Sequence, residues 1–366
     1  DASFLLKDHQ LAFHYIEKNK AIILIEDIRK NTKQSNLPKI VSRKLVQLKK
    51  AIFSFENTLL KETVAAKKKK IQGSLFTLKK QQLAYVDSLK ISHPTYFSTQ
   101  SKINTIALKE VQRELDQNTV VISYAWNTVG KEVIYGLAIG TDQSILFKVD
   151  HGERLKQRVK KYKKLIARPF ETENQRAAFQ DVSYALFQQL FPSHEVRKLI
   201  KNKKIIIIAD GHLQSVPFES LIVDKETKKY FLESNNISYT YSMSFMSHVK
   251  NVPRKTTADF ISYAPVTFST QNLKSLSYTE KEVNSIEKIM NGTVLLGASA
   301  NKKDFFSNSS NARIIHLATH ADASINPWIA FSDGALELHE LYTYKNNADL
   351  VVLSACNTTL GEVAVG

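Results

Sequence analysis

The chain has 366 residues, of which 43% are hydrophobic and 23% are charged, an ordinary composition for a globular protein. Its single cysteine, Cys356, excludes an internal disulfide and suits a reducing compartment, so we expect a cytoplasmic location. The longest apolar run, near Ile205 to Ala209, is far shorter than the ~20 residues that cross a bilayer. Because the chain opens with Asp1 rather than Met, we expect a fragment of a longer protein.

The net charge of +16 is concentrated near the N-terminus. Residues 1–117 hold 22 Lys and Arg against 11 Asp and Glu, a net of +11, whereas residues 118–366 hold 29 against 24, a net of +5. A basic helical segment could bind nucleic acid through its phosphates, but a solvated lysine-rich helix face is the simpler interpretation. The run Lys67–Lys70 lacks interleaved aromatic residues and is interpreted as a helix junction. We expect no specific nucleic-acid partner, only weak and non-specific binding.

Two stripes of apolar residues with coiled-coil spacing predict a pair of long helices within residues 1–117. The pattern is broken around Lys67–Gly73, and Pro38 separates the pair from one or two earlier helices that carry Leu11, Tyr15 and Ile22–Ile25. The members of the two stripes are Val41, Leu45, Leu48, Ile52, Phe55 and Leu59, then Ile71, Leu75, Leu78, Tyr85 and Leu89.

After His93-Pro94 and a helix around Thr105–Leu115, the pattern changes to strands. Val120–Tyr124, Val133–Ile139 and Ser144–Val149 are separated by turn residues and predict an antiparallel meander. Residues 152–200 are predicted to be helical, and apolar strands then alternate with helices. This alternation indicates an α/β sandwich with a mainly parallel central sheet, preceded by an all-helical N-terminal region. The later strands are Lys204–Ala209, Ile237–Thr240, Phe260–Tyr263, Val294–Leu296, Arg313–Ala318 and Leu350–Ser354, and one intervening helix is Tyr278–Met290.

Two of these strands end at side chains that can carry chemistry. Arg313–Ala318 leads to His320, and Leu350–Ser354 leads to Cys356. Ligands of open parallel sheets bind outside the carboxyl ends of the strands, so two neighbouring strands would bring an imidazole and a thiol to one crevice. This is the arrangement of a cysteine protease dyad. Most lone cysteines are small buried hydrophobes, and only the matching strand at His320 makes a nucleophile the better interpretation.

His316 is the competing histidine, but it lies inside the strand between apolar neighbours, which predicts a buried, hydrogen-bonded side chain. A metal site made of His316 and His320 is unfavourable, because four strand residues span roughly 13 Å. We therefore expect no metal and no organic cofactor.

Several motifs of nucleotide chemistry and serine hydrolysis are missing. The sequence contains no phosphate-binding loop, no dinucleotide fingerprint after a strand and no serine nucleophile elbow. The turn after Lys204–Ala209 holds Asp210 and His212, either of which could line a site, although turn chemistry explains both.

Four segments of the chain, taken in order, resemble the CHAT family, caspase-like peptidases that are related to separases and usually attached to tetratricopeptide repeats. The histidine and cysteine segments are the specific ones, and the resemblance covers roughly residues 118 to 366. The four segments are Ala209-Asp210-Gly211 with Pro217–Leu221, Ile237–Tyr239 with Tyr241, Ser242 and Ser244, His316–His320, and Leu350–Thr358.

The resemblance implies that Cys356 is the nucleophile and His320 the general base. It also implies that the backbone N–H groups of Ala321 and Cys356 bind the oxyanion, although relatives often have Gly where this chain has Ala321. It implies a caspase-like α/β/α sandwich over residues 118–366, incomplete at the C-terminus, and a tetratricopeptide-like helical region over residues 1–117. The pocket for the residue before the cleaved bond is then expected beyond Gly366.

We therefore predict a cysteine endopeptidase that cleaves a protein substrate, with the N-terminal helices binding a protein partner. The alternative is an inert caspase-like scaffold whose helices mediate protein–protein binding. Because the chain ends soon after Leu350–Ser354, we expect an open sheet edge, a tendency to associate and feeble activity.

Overall fold

The computed structural model describes residues 7–20, 44, 47, 48, 51, 52, 55, 58, 59, 64–92, 105–127, 132–251, 254–268, 271–323, 327–341, 344 and 346–355. Several predicted features lie outside these residues: Ile22–Ile25, Pro38, Val41, Leu45, the boundary at His93-Pro94, and Cys356.

The described residues form helices and strands in the following order. The helices are α1 (His9–Asn19), α2 (Ala65–Ser92), α3 (Leu108–Glu114), α4 (Gly152–Ile166), α5 (Glu173–Leu190), α6 (His194–Ile200), α7 (Met243–Lys250), α8 (Ser277–Glu287), α9 (Lys302–Asn308) and α10 (Leu338–Leu341). The strands are β1 (Thr119–Asn127), β2 (Val133–Ile139), β3 (Ser144–Val149), β4 (Lys204–Ile208), β5 (Asn236–Tyr239), β6 (Ala258–Ala264), β7 (Thr293–Leu296), β8 (Ala312–Ala318), β9 (Ala321–Asp322), β10 (Trp328–Phe331), β11 (Gly334–Glu337) and β12 (Leu350–Ser354). Short 3₁₀ turns span Gly211–Ser215, Phe218–Ser220, Phe231–Glu233, Gly297–Ser299 and Ser309–Asn311.

The chain folds into two compact units, and the described residues of 1–27 and 102–252 belong to the first. Its centre is a five-stranded sheet of order β3-β2-β1-β4-β5. β1, β2 and β3 form the predicted antiparallel meander, while β1 pairs in parallel with β4 and β4 with β5. The sheet is therefore mixed, and the carboxyl ends of β1, β4 and β5 lie at one edge.

Helices cover both faces of this sheet because its strands send apolar side chains alternately to two cores. On one face, Ile122 and Ile205 pack with the buried residues of α4, α5 and α6. On the other face, Val121 and Ile206 pack with the buried residues of α1 and α3. The prediction that residues 152–200 are helical is confirmed by α4, α5 and α6.

Glu17 attaches α1 to the first unit through a carboxylate that is fully buried (0% exposed). Its Oε1 accepts the Met243 N–H at 3.0 Å and its Oε2 accepts the Ser244 N–H at 2.7 Å. These N–H groups belong to the first turn of α7, where they have no partner within the helix. The negative charge also lies at the positive end of the helix dipole, so Glu17 stabilises α7 as well as the position of α1.

Lys20, directly after α1, reaches β1 and the carboxyl end of its neighbour β4. Its Nζ donates to the carbonyl of Tyr124 on β1, and to those of Ile208 and Ala209 at the end of β4, at 3.1 and 3.3 Å. Burial lowers the pKa of Lys20 to about 8, although the nearby carboxylates of Asp210 and Glu17 favour the charged form. The ammonium is stabilised there by carbonyl dipoles and nearby charges rather than by water.

The second unit contains the described residues of 28–101 and 253–362, and its main sheet is wholly parallel. The order is β12-β8-β6-β7, with pairing in parallel at each step. α8 packs on one face through Val283, which shares a small core with Ala264 and Ala318. The larger core on the other face includes Tyr263, Ile315 and other buried side chains.

A second, three-stranded antiparallel sheet of order β11-β10-β9 follows β8 directly. This sheet was not predicted from the sequence, because its strands have only two to four residues. The dipeptide Asp333-Gly334 was nevertheless a usable signal, since Asp-Gly between apolar runs favours a tight hairpin. Gly334 has φ 147°, a conformation that side chains rarely adopt.

The predicted break around Lys67–Gly73 is wrong, because α2 runs without interruption through these residues. Lysine is a good helix former, and an exposed helix face needs no apolar residues there. Lys44 Nζ lies 4.5 Å from the centre of the Tyr85 ring, so a described residue of the first predicted helix contacts the helix that carries the second stripe. In the described part of the chain, no helix is both long and apolar enough to cross a membrane.

Candidate active site

β8 and β12 are neighbours in the sheet and run in parallel, as the sequence predicted. Val352 pairs with His316 and Ser354 with Ala318. The Thr319 N–H donates to the Ser354 carbonyl at 3.3 Å, so the ladder continues one residue beyond β8. The carboxyl ends of both strands therefore lie side by side at the edge where parallel sheets bind ligands.

His320 follows β8 at this edge, and its ring contacts Lys274 and Phe268. Nε2 lies 2.8 Å from the Lys274 carbonyl oxygen, and the ring packs at 4.9 Å against that of Phe268. A carbonyl only accepts hydrogen bonds, so Nε2 carries the proton and donates it. The neutral ring therefore has its lone pair on Nδ1, so that nitrogen is the one that can accept a proton.

Ala321 begins β9, and the strand register fixes the direction of its N–H. The Ala330 N–H donates to the His320 carbonyl at 2.8 Å, and Ala321 pairs with Ile329. These two facts make Ala321–Ile329 a pair that is not hydrogen-bonded, so the Ala321 N–H points away from β10. The Thr319 hydroxyl also donates to the Ala330 carbonyl, at 2.7 Å, and strengthens this turn. The Ala321 N–H is thus free of the β9–β10 ladder.

His316 is buried and hydrogen-bonded, as the sequence predicted. It is 6% exposed, and its Nε2 lies 2.9 Å from Glu282 Oε1 on α8. Glu282 was missed by the sequence analysis because nothing in a helical stretch marks which carboxylate will meet the sheet. The hydrogen bond joins α8 to the middle of β8, four residues before His320. His316 therefore has a structural partner within the fold.

The remaining candidates from the sequence, Asp210 and His212, contact neighbouring backbone and an aromatic ring. Asp210 accepts the N–H groups of Trp126 at 2.6 Å and Gly211 at 2.9 Å, and the His212 ring lies edge-on to Trp126. The turn itself explains the Gly211 hydrogen bond, and contacts with Trp126 on β1 explain the rest of the surroundings of Asp210 and His212. Within the described ranges, no group of three or more His, Cys, Asp or Glu side chains is arranged to hold a metal ion.

The sequence model of the CHAT domain matches residues 180–366, which is just over half of the chain. The chain belongs to the CHAT domain family. The matched segment runs from within α5 through β12, and includes His320, Ala321 and Cys356. No curated protein matches the chain. CHAT domains are related to caspase-like peptidases, so peptidase chemistry is the first function to consider for this edge of the sheet.

Proposed function

We propose that this CHAT protein is a cysteine endopeptidase of the caspase-like clan, with Cys356 as nucleophile and His320 as general base. One observation carries the proposal, the pairing of Ser354 with Ala318. Ser354 lies two residues before Cys356, and Ala318 lies two residues before His320. We also propose a caspase-like α/β/α sandwich preceded by an all-helical region, in which the helices bind a protein partner and the α/β part binds the substrate.

The side-chain alternation of β8 supports this pairing. His316 bonds to Glu282 on α8, and Ala318 packs with Val283 of the same helix. Alternate residues of a strand face one side of the sheet, so the series that faces α8 continues towards His320. By the same register, Val352 and Ser354 of β12 belong to that face, and Cys356 is next in the series. Both groups would then lie on one side of the sheet.

The reaction would proceed in two steps through an acyl-enzyme. His320 Nδ1 takes the proton of the Cys356 thiol, and the thiolate attacks the peptide carbonyl to form a C–S bond. The tetrahedral intermediate collapses, the C–N bond breaks, and the imidazolium gives its proton to the leaving amine. Water then attacks the thioester, with His320 as base, and releases the acid and the thiol. The Lys274 carbonyl keeps the ring oriented and favours the imidazolium when it forms.

The developing oxyanion requires donors that are already in place. The Ala321 N–H, which points away from the β9–β10 ladder, is one candidate, and the Cys356 N–H is the other. A well-placed donor of this kind contributes about 3 kcal/mol to stabilisation of the transition state. The proposed chemistry needs no metal and no organic cofactor.

Alkylation of the thiol tests the dyad without knowledge of the substrate. Cys356 is the only cysteine, so the rate of reaction with iodoacetamide reports on it alone. We expect the rate to reach half its maximum at a pH well below ~8.5, the pKa of an ordinary thiol, because an imidazolium stabilises the thiolate. His320→Ala should return the profile to that of an ordinary thiol. His194→Ala, which removes an exposed histidine from the first unit, is the matched control and should leave the profile unchanged.

The same profiles decide between a peptidase and an inert scaffold. If wild type and His320→Ala both react as ordinary thiols, the dyad is refuted and the scaffold alternative is favoured. A shifted wild-type profile followed by cleavage of a peptide library, lost in Cys356→Ala, establishes the peptidase.

A further inference from the structure

One helix of the first unit, α4, carries a dense set of cations. The α4 basic face is defined here as Arg154, Lys156, Arg158, Lys160, Lys161, Lys163 and Lys164. Leu155, Val159 and Tyr162 are buried against the sheet, which fixes the rest of the helix surface towards solvent. All seven cations are exposed except Arg158, which is partly exposed. Glu153 is the one acidic residue of α4.

The charge excess of residues 118–366 lies entirely in this helix. These residues hold 29 Lys and Arg against 24 Asp and Glu, a net of +5. α4 alone holds seven against one, a net of +6. The remainder holds 22 against 23, a net of −1. The cations are therefore a local feature of α4 and do not reflect a basic composition of the α/β region.

Nothing in the described part of the chain neutralises the α4 basic face. None of its seven cations forms an ion pair with a described residue, and Arg158 instead donates to the Gln189 amide oxygen. Two carboxylates near the ends of the helix are occupied by other cations: Asp150 pairs with Lys148 at 3.0 Å and Glu173 with Arg176 at 2.9 Å. The face is thus available to an external anion.

The spacing of the cations is unfavourable for the helix alone. Arg154 and Arg158 are four residues apart, as are Lys156 and Lys160, and Lys160 and Lys164. Like charges at this spacing repel and destabilise a helix. Burial, followed by the charge of Arg154, lowers the pKa of Arg158. Binding of a polyanion would relieve this repulsion, because it brings the compensating charge that the described residues do not supply.

The chemistry of the face selects among polyanions. A membrane-surface helix needs apolar residues on the side that enters the lipid, but the apolar side of α4 is buried in the core. Single-stranded nucleic acid is bound with the help of exposed aromatic rings, and the one aromatic residue of α4, Tyr162, is fully buried. The backbone of a duplex can be bound by cations alone. It presents one charge per ~1.7 Å of its axis, so several phosphates lie within the length of α4, which is about 22 Å.

We propose that the α4 basic face binds the phosphate backbone of duplex nucleic acid without reading its sequence. This extends the expectation of weak, non-specific binding, and it assigns the contact to α4 instead of to the lysines of residues 1–117. The α4 basic face belongs to the first unit, and the residues of the candidate active site belong to the second.

Two matched variants of the full chain test the assignment. One replaces Lys156, Lys160, Lys163 and Lys164 with Gln, and the control replaces Lys67, Lys68, Lys69 and Lys70, which are exposed on α2. Both lower the net charge by four. Binding of a fluorescent 20-base-pair DNA duplex is measured by anisotropy as the salt concentration is raised. Thermal melting of both variants checks that they fold.

We expect the α4 variant to bind at least about tenfold more weakly at low salt, with a salt slope shallower by about 3 to 4, because each phosphate contact contributes ~0.9. The α2 control should retain most of the wild-type affinity and slope. Equal losses in the two variants would mean attraction by net charge and would overturn the proposal. Equal or tighter binding of polyglutamate, or of vesicles containing phosphatidylserine, would assign the face to an acidic protein or a membrane and refute a nucleic-acid site.

Discussion

Ser354 of β12 lies opposite Ala318 of β8 in a parallel ladder, and the Thr319 N–H donates to the Ser354 carbonyl one step further on. The relationship matters because residues at matching positions of two paired parallel strands lie next to each other. His320 is already held there by Lys274 and Phe268, so one of the two proposed reacting groups has a defined orientation.

The Ala321 N–H is predicted to be an oxyanion donor, and a proline at this position tests it. Ala321→Pro removes the N–H but no β9–β10 hydrogen bond, because Ala321 pairs with Ile329 without one. We expect kcat to fall by about 10²–10³. Ala321→Gly keeps the N–H and should retain activity. Steady-state cleavage of a peptide substrate measures both; equal losses in the two variants would point to the side chain or to the turn instead.

His316 is predicted to act on stability. His316→Ala leaves a cavity in the sheet–helix interface and deprives Glu282 of its 2.9 Å partner, which should lower the free energy of unfolding by about 2–4 kcal/mol. Urea unfolding measures this loss. The thiol alkylation profile of the folded variant should match that of wild type. A profile shifted to that of His320→Ala would show that His316 contributes to the reacting thiol.

The sequence predicted the strands well because their cause is local. The apolar β-branched runs, such as Arg313–Ala318 and Leu350–Ser354, have the length and composition of buried parallel strands. Their pairing, which the structure confirms, was predicted because one strand leads to His320 and the other to Cys356. The error at Lys67–Gly73 came from reading a gap in the apolar stripe as a gap in the helix. The polar run lies inside α2, which begins at Ala65, because helix propensity does not require burial.

The partners of the site residues could not be predicted from sequence. The Lys274 acceptor is a backbone carbonyl, which every residue has, and Glu282 is one of several carboxylates on its helix. Glu17 caps a helix that begins more than 200 residues later in the chain. These contacts depend on how distant segments pack, and neither periodicity nor composition records that.

β12 is predicted to be a site of self-association. It is an edge strand of the described four-stranded sheet, and Val351 and Leu353 are each 42% exposed. Exposed apolar edges pair with other chains, and a charged residue on the edge opposes this pairing. Val351→Lys should shift the population from oligomer towards monomer. Light scattering across a concentration series measures the shift, with Lys303→Ala, on an exposed site of the same unit, as the control.

The stability of the protein is predicted to rise between about pH 8 and pH 10.5 through Lys20. Its pKa is about 8 in the folded chain, against 10.5 for a lysine in water, so between these values the unfolded chain binds the extra proton. Stability increases with pH wherever the unfolded state binds more protons. Below pH 8 both states are charged, and the burial penalty of the ammonium is fully present. Above pH 10.5 both are neutral, and no further gain is expected.

Other lysines and tyrosines titrate in the same range, so the Lys20 contribution must be obtained as a difference. The free energy of unfolding is measured from about pH 7.5 to 10.5 for wild type, Lys20→Met and Lys18→Met. Lys18 is exposed on the same helix and serves as the control. We expect wild type and Lys18→Met to share one slope, and Lys20→Met to gain less stability as the pH rises. Parallel slopes in all three proteins would mean that the Lys20 ammonium keeps its hydration in the folded chain, and that α1 is held to the sheet by Glu17 and its apolar residues alone.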